Sequence, residues 1–89
     1  MITQAACRVD IPGVKDIQVI PVHRHGDVGK IFKAFGYKPG ECVVLEQGFI
    51  DSDGNFFNRK SAAKWMKEHW QKTRLGDYPV EELYSEDLY

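Results

Sequence analysis

The chain has 89 residues, enough for one domain with one core. Its composition is 43% hydrophobic, which is too apolar for a disordered chain, and no apolar run approaches the roughly 20 residues of a membrane span. The net charge of −1 argues against a nucleic-acid binder, which would carry a basic excess. The first six residues lack the pattern of a secretory signal, so we expect a cytoplasmic protein without a membrane partner.

The charge is divided unevenly along the chain. Residues 1–75 contain twelve basic and eight acidic residues, whereas residues 76–89 contain five acidic residues and no basic one. This division predicts a single domain over 1–75 and an acidic tail over 76–89, which packs on the body or on a neighbouring subunit.

Two strands are predicted in the first quarter of the chain. Polarity alternates over residues 3–11, and the alternate residues expected to face the core are Thr3, Ala5, Cys7, Val9 and Ile11. A turn at Pro12-Gly13 separates this strand from a second one over residues 16–22. Because proline cannot donate to a ladder, Pro21 indicates an edge or a strand end.

A helix follows these strands. Asp27 is predicted to cap its first turn with the side-chain carboxylate, and Gly36 to end it in the left-handed conformation. Four apolar residues recur at helical spacing and are expected to pack against the sheet: Val28, Ile31, Phe32 and Phe35.

The remaining elements are shorter. Residues 41–50 predict one or two strands with an irregularity at Gly48, followed by a tight turn over 51–54 and a strand over 55–57. Asn58 is expected to cap a helix from Arg59 to about residue 72, whose apolar face holds Ala62, Ala63, Met66 and Trp70 with Trp65 beside it. One last helical turn is predicted at Ser85-Glu86-Asp87.

This element order predicts an α+β fold. We expect a small, mainly antiparallel sheet with two helices on one face and an extended acidic C-terminal tail. Several apolar patches on so small a body favour a homo-oligomer, a dimer or larger.

The first candidate site lies where the second strand meets the first helix, at His23, Arg24 and His25. The amide hydrogens of a helix start attract phosphate or carboxylate, and the guanidinium and imidazoles are matching donors. The spacing of the two histidines also suits half of a metal site. The remaining ligands are missing, so we expect neither a metal nor a cofactor.

A second group of cations opens the second helix, at Arg59 and Lys60. Cations oppose the dipole of a helix start, so this arrangement indicates either a use for the charge or plain exposure to solvent. Aromatic residues such as Phe49 and Trp65 serve equally as a stacking platform or as core. Known catalytic motifs are missing, and nothing in the sequence argues for an enzyme.

Several segments together resemble a family of small, largely uncharacterised bacteriophage proteins. The segments span most of residues 23–89 and comprise Arg24-His25, Gln47-Gly48-Phe49, Asp53-Gly54-Asn55-Phe56, Asn58-Arg59, Ala62-Ala63 and Leu83–Tyr89. The chain departs from the family pattern near 71–76, where Gln71 is followed by Lys72 instead of belonging to a Gly-Gln pair. The resemblance implies a phage accessory protein in which Arg24, His25, Gln47, Arg59 and Ser85-Glu86-Asp87 recur as polar positions.

The leading hypothesis is a non-enzymatic protein that binds a small anionic ligand, such as a nucleotide signal of host defence. The expected ligand-binding residues are His23, Arg24, His25, Gln47, Phe49, Arg59, Lys60 and Trp65. The alternative is a protein–protein inhibitor of a host defence enzyme, comparable to anti-CRISPR proteins, which docks through its tail. The expected tail contacts are Tyr84, Ser85, Glu86 and Asp87. A small enzyme of nucleotide or phosphate metabolism is the third reading.

Overall fold

A computed structural model describes residues 1–89 as one four-stranded antiparallel sheet with short helices. The strands are β1 (Ile2–Asp10), β2 (Gln18–Val22), β3 (Val43–Asp51) and β4 (Phe56–Asn58), and they lie in the order β2-β1-β3-β4. The α-helices are α1 (Val28–Ala34), α2 (Arg59–Glu68) and α3 (Ser85–Leu88), and a 3-10 turn at His25–Asp27 precedes α1. The predicted α+β class and antiparallel sheet are confirmed.

Two irregularities in register decide which side chains enter the core. Between Ile2 and Gln4 the pairing of β1 with β3 skips Thr3, and between Arg8 and Val9 it skips Leu45 on β3. An extra residue in one strand moves the following side chains to the opposite face. Thr3 is therefore exposed and Ile2 is buried in its place, which corrects the predicted parity at the start of β1.

The core lies on one face of the sheet. Ala5, Cys7 and Val9 of β1 point into it and are fully buried. They pack in one cluster with Val28 of α1 and with Ala62, Ala63 and Met66 of α2. As Pro21 indicates, β2 is an edge strand.

The first helix begins differently from the prediction, and one of its four predicted core residues lies outside it. The Asp27 carboxylate makes no cap bond to α1 and instead accepts a hydrogen bond from the backbone nitrogen of Arg24, at 3.2 Å, across the 3-10 turn. Gly36 ends the helix at φ +88° as predicted. Phe35 lies beyond the last helical residue and is 77% exposed, so its predicted burial is wrong.

The second helix is confirmed at its start and shorter than predicted at its end. The Asn58 side chain accepts the Ser61 amide at 2.7 Å, which is the predicted cap. The helix ends at Glu68, and Trp70 then adopts φ +59°. A left-handed residue cannot continue a right-handed helix, so Trp70 lies outside α2; it is 81% exposed and not part of the apolar face.

β3 is one continuous strand whose close approach to β4 requires a glycine. A Cβ atom at Gly48 would collide with the carbonyl oxygen of Phe57 and the ring of Phe56. The breaks in register lie at Thr3 and Leu45, and Gly48 itself pairs regularly with Ala6 and Asn58. The turn at 51–54 is held by Asp51, whose carboxylate accepts hydrogen bonds from Asp53 and Asn55.

The C-terminal segment packs on the body of its own chain. Leu83 is fully buried in the core cluster, and Ser85 is 2% exposed. Before this segment, the Gln71 side chain accepts the Ile2 amide at 2.9 Å and donates to the Ile2 carbonyl at 2.8 Å. These contacts bring both chain ends to one side of the sheet.

Candidate functional site

His25 lies at the centre of the polar residues that the sequence singles out. The 3-10 turn after β2 directs its ring inward, where it is 5% exposed and meets the ring of Phe49 edge-on at 5.2 Å. Nε2 lies 2.7 Å from the Gly48 carbonyl oxygen, and Nδ1 lies 3.2 Å from an Arg59 guanidinium nitrogen. Because a carbonyl only accepts, Nε2 carries the hydrogen and Nδ1 accepts from Arg59.

The surroundings of His25 keep its imidazole neutral. Burial lowers the pKa of His25 from its ordinary 6.5, the Gly48 carbonyl opposes this, and the neighbouring Arg59 charge lowers it further. With both ring nitrogens engaged, His25 orients the guanidinium of Arg59 and has no free nitrogen for a metal or a proton transfer.

Arg24 and Arg59 both contact the C-terminal segment. Arg24 donates to the Ser85 carbonyl at 2.6 Å, and its guanidinium lies 5.2 Å from the centre of the Tyr89 ring. The Arg59 guanidinium lies 4.8 Å from the centre of the Tyr84 ring. Cation–ring contacts at these distances are attractive, so the two arginines hold the tail from two sides.

Tyr89 completes these contacts at the sheet. Its hydroxyl donates to the Val22 carbonyl at 3.0 Å and accepts the Ala5 amide at 3.1 Å. His23 stacks on its ring at 4.4 Å. We refer to this arrangement as the C-terminal clamp; it comprises Arg24, His25 and Arg59 on the body and Tyr84, Ser85 and Tyr89 on the tail.

The acidic residues of the tail support α3 and the clamp. The Asp87 carboxylate accepts the Tyr84 amide at 3.1 Å, which fixes the first turn of α3. The pKa of Glu86 is lowered, first by its own backbone amide, and then by the Ser85 hydroxyl and the charge of Arg24. The Glu86 carboxylate therefore stays ionised beside the clamp.

A surface cavity of about 340 Å³ adjoins the start of α2. We call it the α2 hollow, and it is lined by Glu46, Gln47, Asn58, Arg59, Lys60 and Glu82. Glu46 is paired with Arg8 at 3.1 Å, and Glu82 accepts a hydrogen bond from the Tyr84 hydroxyl at 3.2 Å. Neither Arg59 nor Lys60 has a carboxylate within 4.0 Å, and the Arg59 Nε is buried without a partner.

The residues predicted to bind ligand are thus divided among four places. Arg24, His25 and Arg59 meet in the clamp, with His23 at its border. The hollow brings Gln47 and Lys60 together with Arg59. The other two rings lie elsewhere: Phe49 is fully buried, and Trp65 stacks on His69 at 4.1 Å and meets Phe57 at 6.4 Å.

The burial of Phe49 leaves neither face of its ring open to a ligand, so the hypothesis that this ring stacks on one needs correction. Half-exposed Tyr84 is the aromatic ring beside Arg59.

Sequence reasoning missed the structural roles of Leu83 and Gln71. Leu83 is an isolated leucine in an acidic segment, and that contrast is the signal that could have identified it as an anchor. Gln71 gives no such signal, because its bonds to Ile2 join residues 69 positions apart.

Groups of three or more His, Cys, Asp or Glu side chains suited to a metal ion do not occur. The helices also lack the length and apolarity that a membrane-spanning segment needs.

Comparison with known proteins places the chain in a family. The family model described as Phage T4 y16D protein matches residues 1–89, which is the whole chain. No curated protein and no solved structure matches it. The resemblance to small, uncharacterised phage proteins is confirmed, and it extends to the first strands as well as to residues 23–89. The chain belongs to the Phage T4 y16D protein family.

Proposed function

We propose that this phage protein acts by binding, without catalysis, and that it holds a small anionic ligand in the α2 hollow. The observation that carries the proposal is the charge state of the lining. Both cations of the hollow lack a carboxylate partner, whereas Glu46 is paired with Arg8 and Glu82 accepts a hydrogen bond from the Tyr84 hydroxyl. A phosphate or carboxylate would supply the missing partner for Arg59 and Lys60.

The start of α2 adds donors to these two cations. Asn58 already caps the Ser61 amide, and the amides before it belong to the first turn, where orphan N–H groups and the helix dipole favour an anion. Gln47 adds a neutral side-chain amide to the lining of the hollow. His25 contributes indirectly, because its neutral Nδ1 fixes one edge of the Arg59 guanidinium.

A nucleotide is the ligand class that we propose within this group. Tyr84 packs against the Arg59 guanidinium and is 44% exposed, so one part of its ring is open for a base. Stacking of a base on an aromatic ring contributes about 1–3 kcal/mol. Capture of a nucleotide signal of host defence is the role that this ligand suggests for a phage accessory protein, by analogy alone.

Docking of the tail on a host enzyme has less support. Of the expected tail contacts, Ser85 is 2% exposed and its carbonyl is held by Arg24, so this residue reaches a partner only if the clamp opens.

Titration of ¹⁵N-labelled protein with inorganic phosphate and with AMP tests the proposal. We expect the amide signals of Arg59 and Lys60 to shift, and AMP to bind more tightly than phosphate. Lys60→Gln should abolish the shifts, while Lys67→Gln, an exposed lysine of the same helix without an ion pair, should not. Tyr84→Leu should remove only the advantage of AMP.

Thermal unfolding gives an independent readout. A ligand at a hundred times its Kd raises the free energy of unfolding by about 2.7 kcal/mol. Unchanged signals at the start of α2 with every anion, or equal weakening by Lys60→Gln and Lys67→Gln, would show that the hollow is not an anion site.

A further inference from the structure

The first half of β3 is an open sheet edge. β1 pairs with β3 from Val43 to Asp51, but β4 covers the other side only from Gly48 to Ile50. Residues 43–47 therefore have no strand on their outer side, and none of the hydrogen bonds made outside the regular elements involves their backbone groups. Three consecutive apolar side chains, Val43, Val44 and Leu45, are 36–49% exposed there.

The other edges of this sheet are protected. β2 carries Pro21, which cannot donate to an added strand, and β4 has only three residues. The open edge of β3 has neither proline nor lysine, and its one charge, Glu46, is paired with Arg8 at 3.1 Å. The register break at Leu45 is its one irregularity, and an apolar edge without proline or lysine is a template for another strand.

We infer that this edge binds a second copy of the chain, with the two β3 strands antiparallel across a twofold axis and the two sheets joined into one of eight strands. An antiparallel edge is complementary to itself, because each strand offers the same alternation of N–H and C=O groups.

The charges beyond the edge fit this occupant. In an antiparallel pair, the residues that precede Val43 in one copy run beside the residues that follow Gln47 in the other. Gly48 lies opposite Asn58, so Glu41 of the second copy meets the chain at the start of α2.

The charges at that point are Arg59 and Lys60, the cations without a carboxylate partner. One oxygen of Glu41 accepts the Lys38 amide at 2.7 Å, and the other remains available. The symmetry makes this ion pair twice. This ion pair favours a second copy over an unrelated peptide, because such a peptide would bring no matching carboxylate.

Sedimentation velocity over a wide range of concentration tests the interface. We expect the mass to rise with concentration toward twice the 10.2 kDa of one chain. Leu45→Lys should raise the dissociation constant more than about tenfold, because it places like charges across the axis. Val19→Lys introduces the same charge at a similarly exposed residue of β2 and should dimerise as the parent does. A parent that stays monomeric, or equal losses in both variants, would refute the interface.

Charge exchange tests the orientation. Lys60→Glu and Glu41→Lys should each weaken the dimer about tenfold, and the double variant should recover most of the loss, since it restores opposite charges across the interface. Losses that simply add in the double variant would contradict the pairing of Glu41 with the α2 start. Circular dichroism of each variant confirms that it is folded.

This interface and the anion site share two cations, so their tests must be separable. In the Leu45→Lys monomer the α2 hollow has no competing Glu41, and phosphate binding there reports on the hollow alone. A parent that stays monomeric but binds phosphate in the hollow refutes the interface alone. A parent that dimerises, with a Leu45→Lys monomer that binds no phosphate, refutes the anion site alone.

Discussion

The two ends of the sheet differ in how far the chain itself covers them. Near the start of β1, the C-terminal segment covers the sheet through contacts within its own chain, from the buried Leu83 to the Tyr89 hydroxyl shared by Ala5 and Val22. At the start of β3, Val43 and Leu45 are each 49% exposed, and the backbone beside them has no neighbour on one side. The acidic end is thus covered by its own chain, whereas the apolar end leaves side chains and backbone groups exposed.

Two phenylalanines differ most in burial. Phe49 is fully buried against His25 of the clamp, and Phe35 is 77% exposed just beyond the end of α1. We predict that Phe49→Ala lowers the free energy of unfolding by about 3–5 kcal/mol, because it leaves a cavity in the core. Phe35→Ala, the matched control, should change it by less than about 0.5 kcal/mol at concentrations where the protein is monomeric. Urea denaturation measures both, and similar losses would contradict the assignment of the core.

Two leucines, one in the tail and one just before it, test whether burial of a single side chain holds the tail on the body. Leu83→Ala should cost about 2–5 kcal/mol, because the buried side chain attaches the tail to the core. Leu75→Ala lies before the tail, is 69% exposed, and should cost less than about 0.5 kcal/mol. Limited proteolysis should then cut the tail readily in Leu83→Ala only. Resistance in both variants would mean that Leu83 does not hold the tail.

His25 makes the closed end sensitive to pH. Its pKa is lowered in the folded state, so below the ordinary value of 6.5 the unfolded chain takes up a proton that the folded chain does not. Stability from this residue is complete above pH 6.5 and falls as the pH drops toward the lower, folded pKa.

We predict that His25→Gln costs about 1–3 kcal/mol at pH 7.5, because it breaks a buried pair of hydrogen bonds. The variant should also lose much of the fall in stability between pH 7 and pH 5. His69→Gln, an exposed control, should keep it. Parallel pH profiles of the parent and His25→Gln would exclude His25 as the source.

The smallest effect concerns one hydroxyl. Tyr89→Phe keeps the ring against His23 and Arg24 but removes the bonds to Ala5 and Val22. We expect a loss of about 0.5–1.5 kcal/mol, measured by denaturation. Tyr78→Phe, whose hydroxyl makes no hydrogen bond, is the control and should have no effect. An equal loss of stability in Tyr78→Phe would show that the loss in Tyr89→Phe does not come from the clamp.

Local sequence patterns predicted the elements better than their limits. The edge position of β2, the cap at Asn58 and the turn at Gly54 follow from backbone chemistry that Pro21, Asn58 and Gly54 display by themselves. The parity error at Thr3 arose because a register shift is decided by the neighbouring strand. Phe35 and Trp70 continue a helical spacing past the residue at which the helix ends, so periodicity alone assigned them to the core.

The sequence predicted which polar residues form the site better than it predicted their contacts. Arg24, His25 and Arg59 stood out as cations and imidazoles at two helix starts, and they do lie together. The tail contacts two of these residues, Arg24 and Arg59. This arrangement depends on a hydrogen bond between residues 61 positions apart and on the burial of Leu83, and no local sequence pattern predicts either. The role of each polar residue therefore required the fold.

Amide hydrogen exchange at two protein concentrations tests most directly whether one end is closed by its own chain and the other by a second copy. The amides of Leu83 and Asp87 donate to Arg59 and Tyr84 of the same chain. We predict that they, and the Ala5 amide bonded to Tyr89, are protected equally at both concentrations. Protection within residues 43–47 should rise with concentration. Fast exchange at Leu83 and Asp87, or unchanged exchange along 43–47 up to concentrations at which the chain dimerises, would contradict the account.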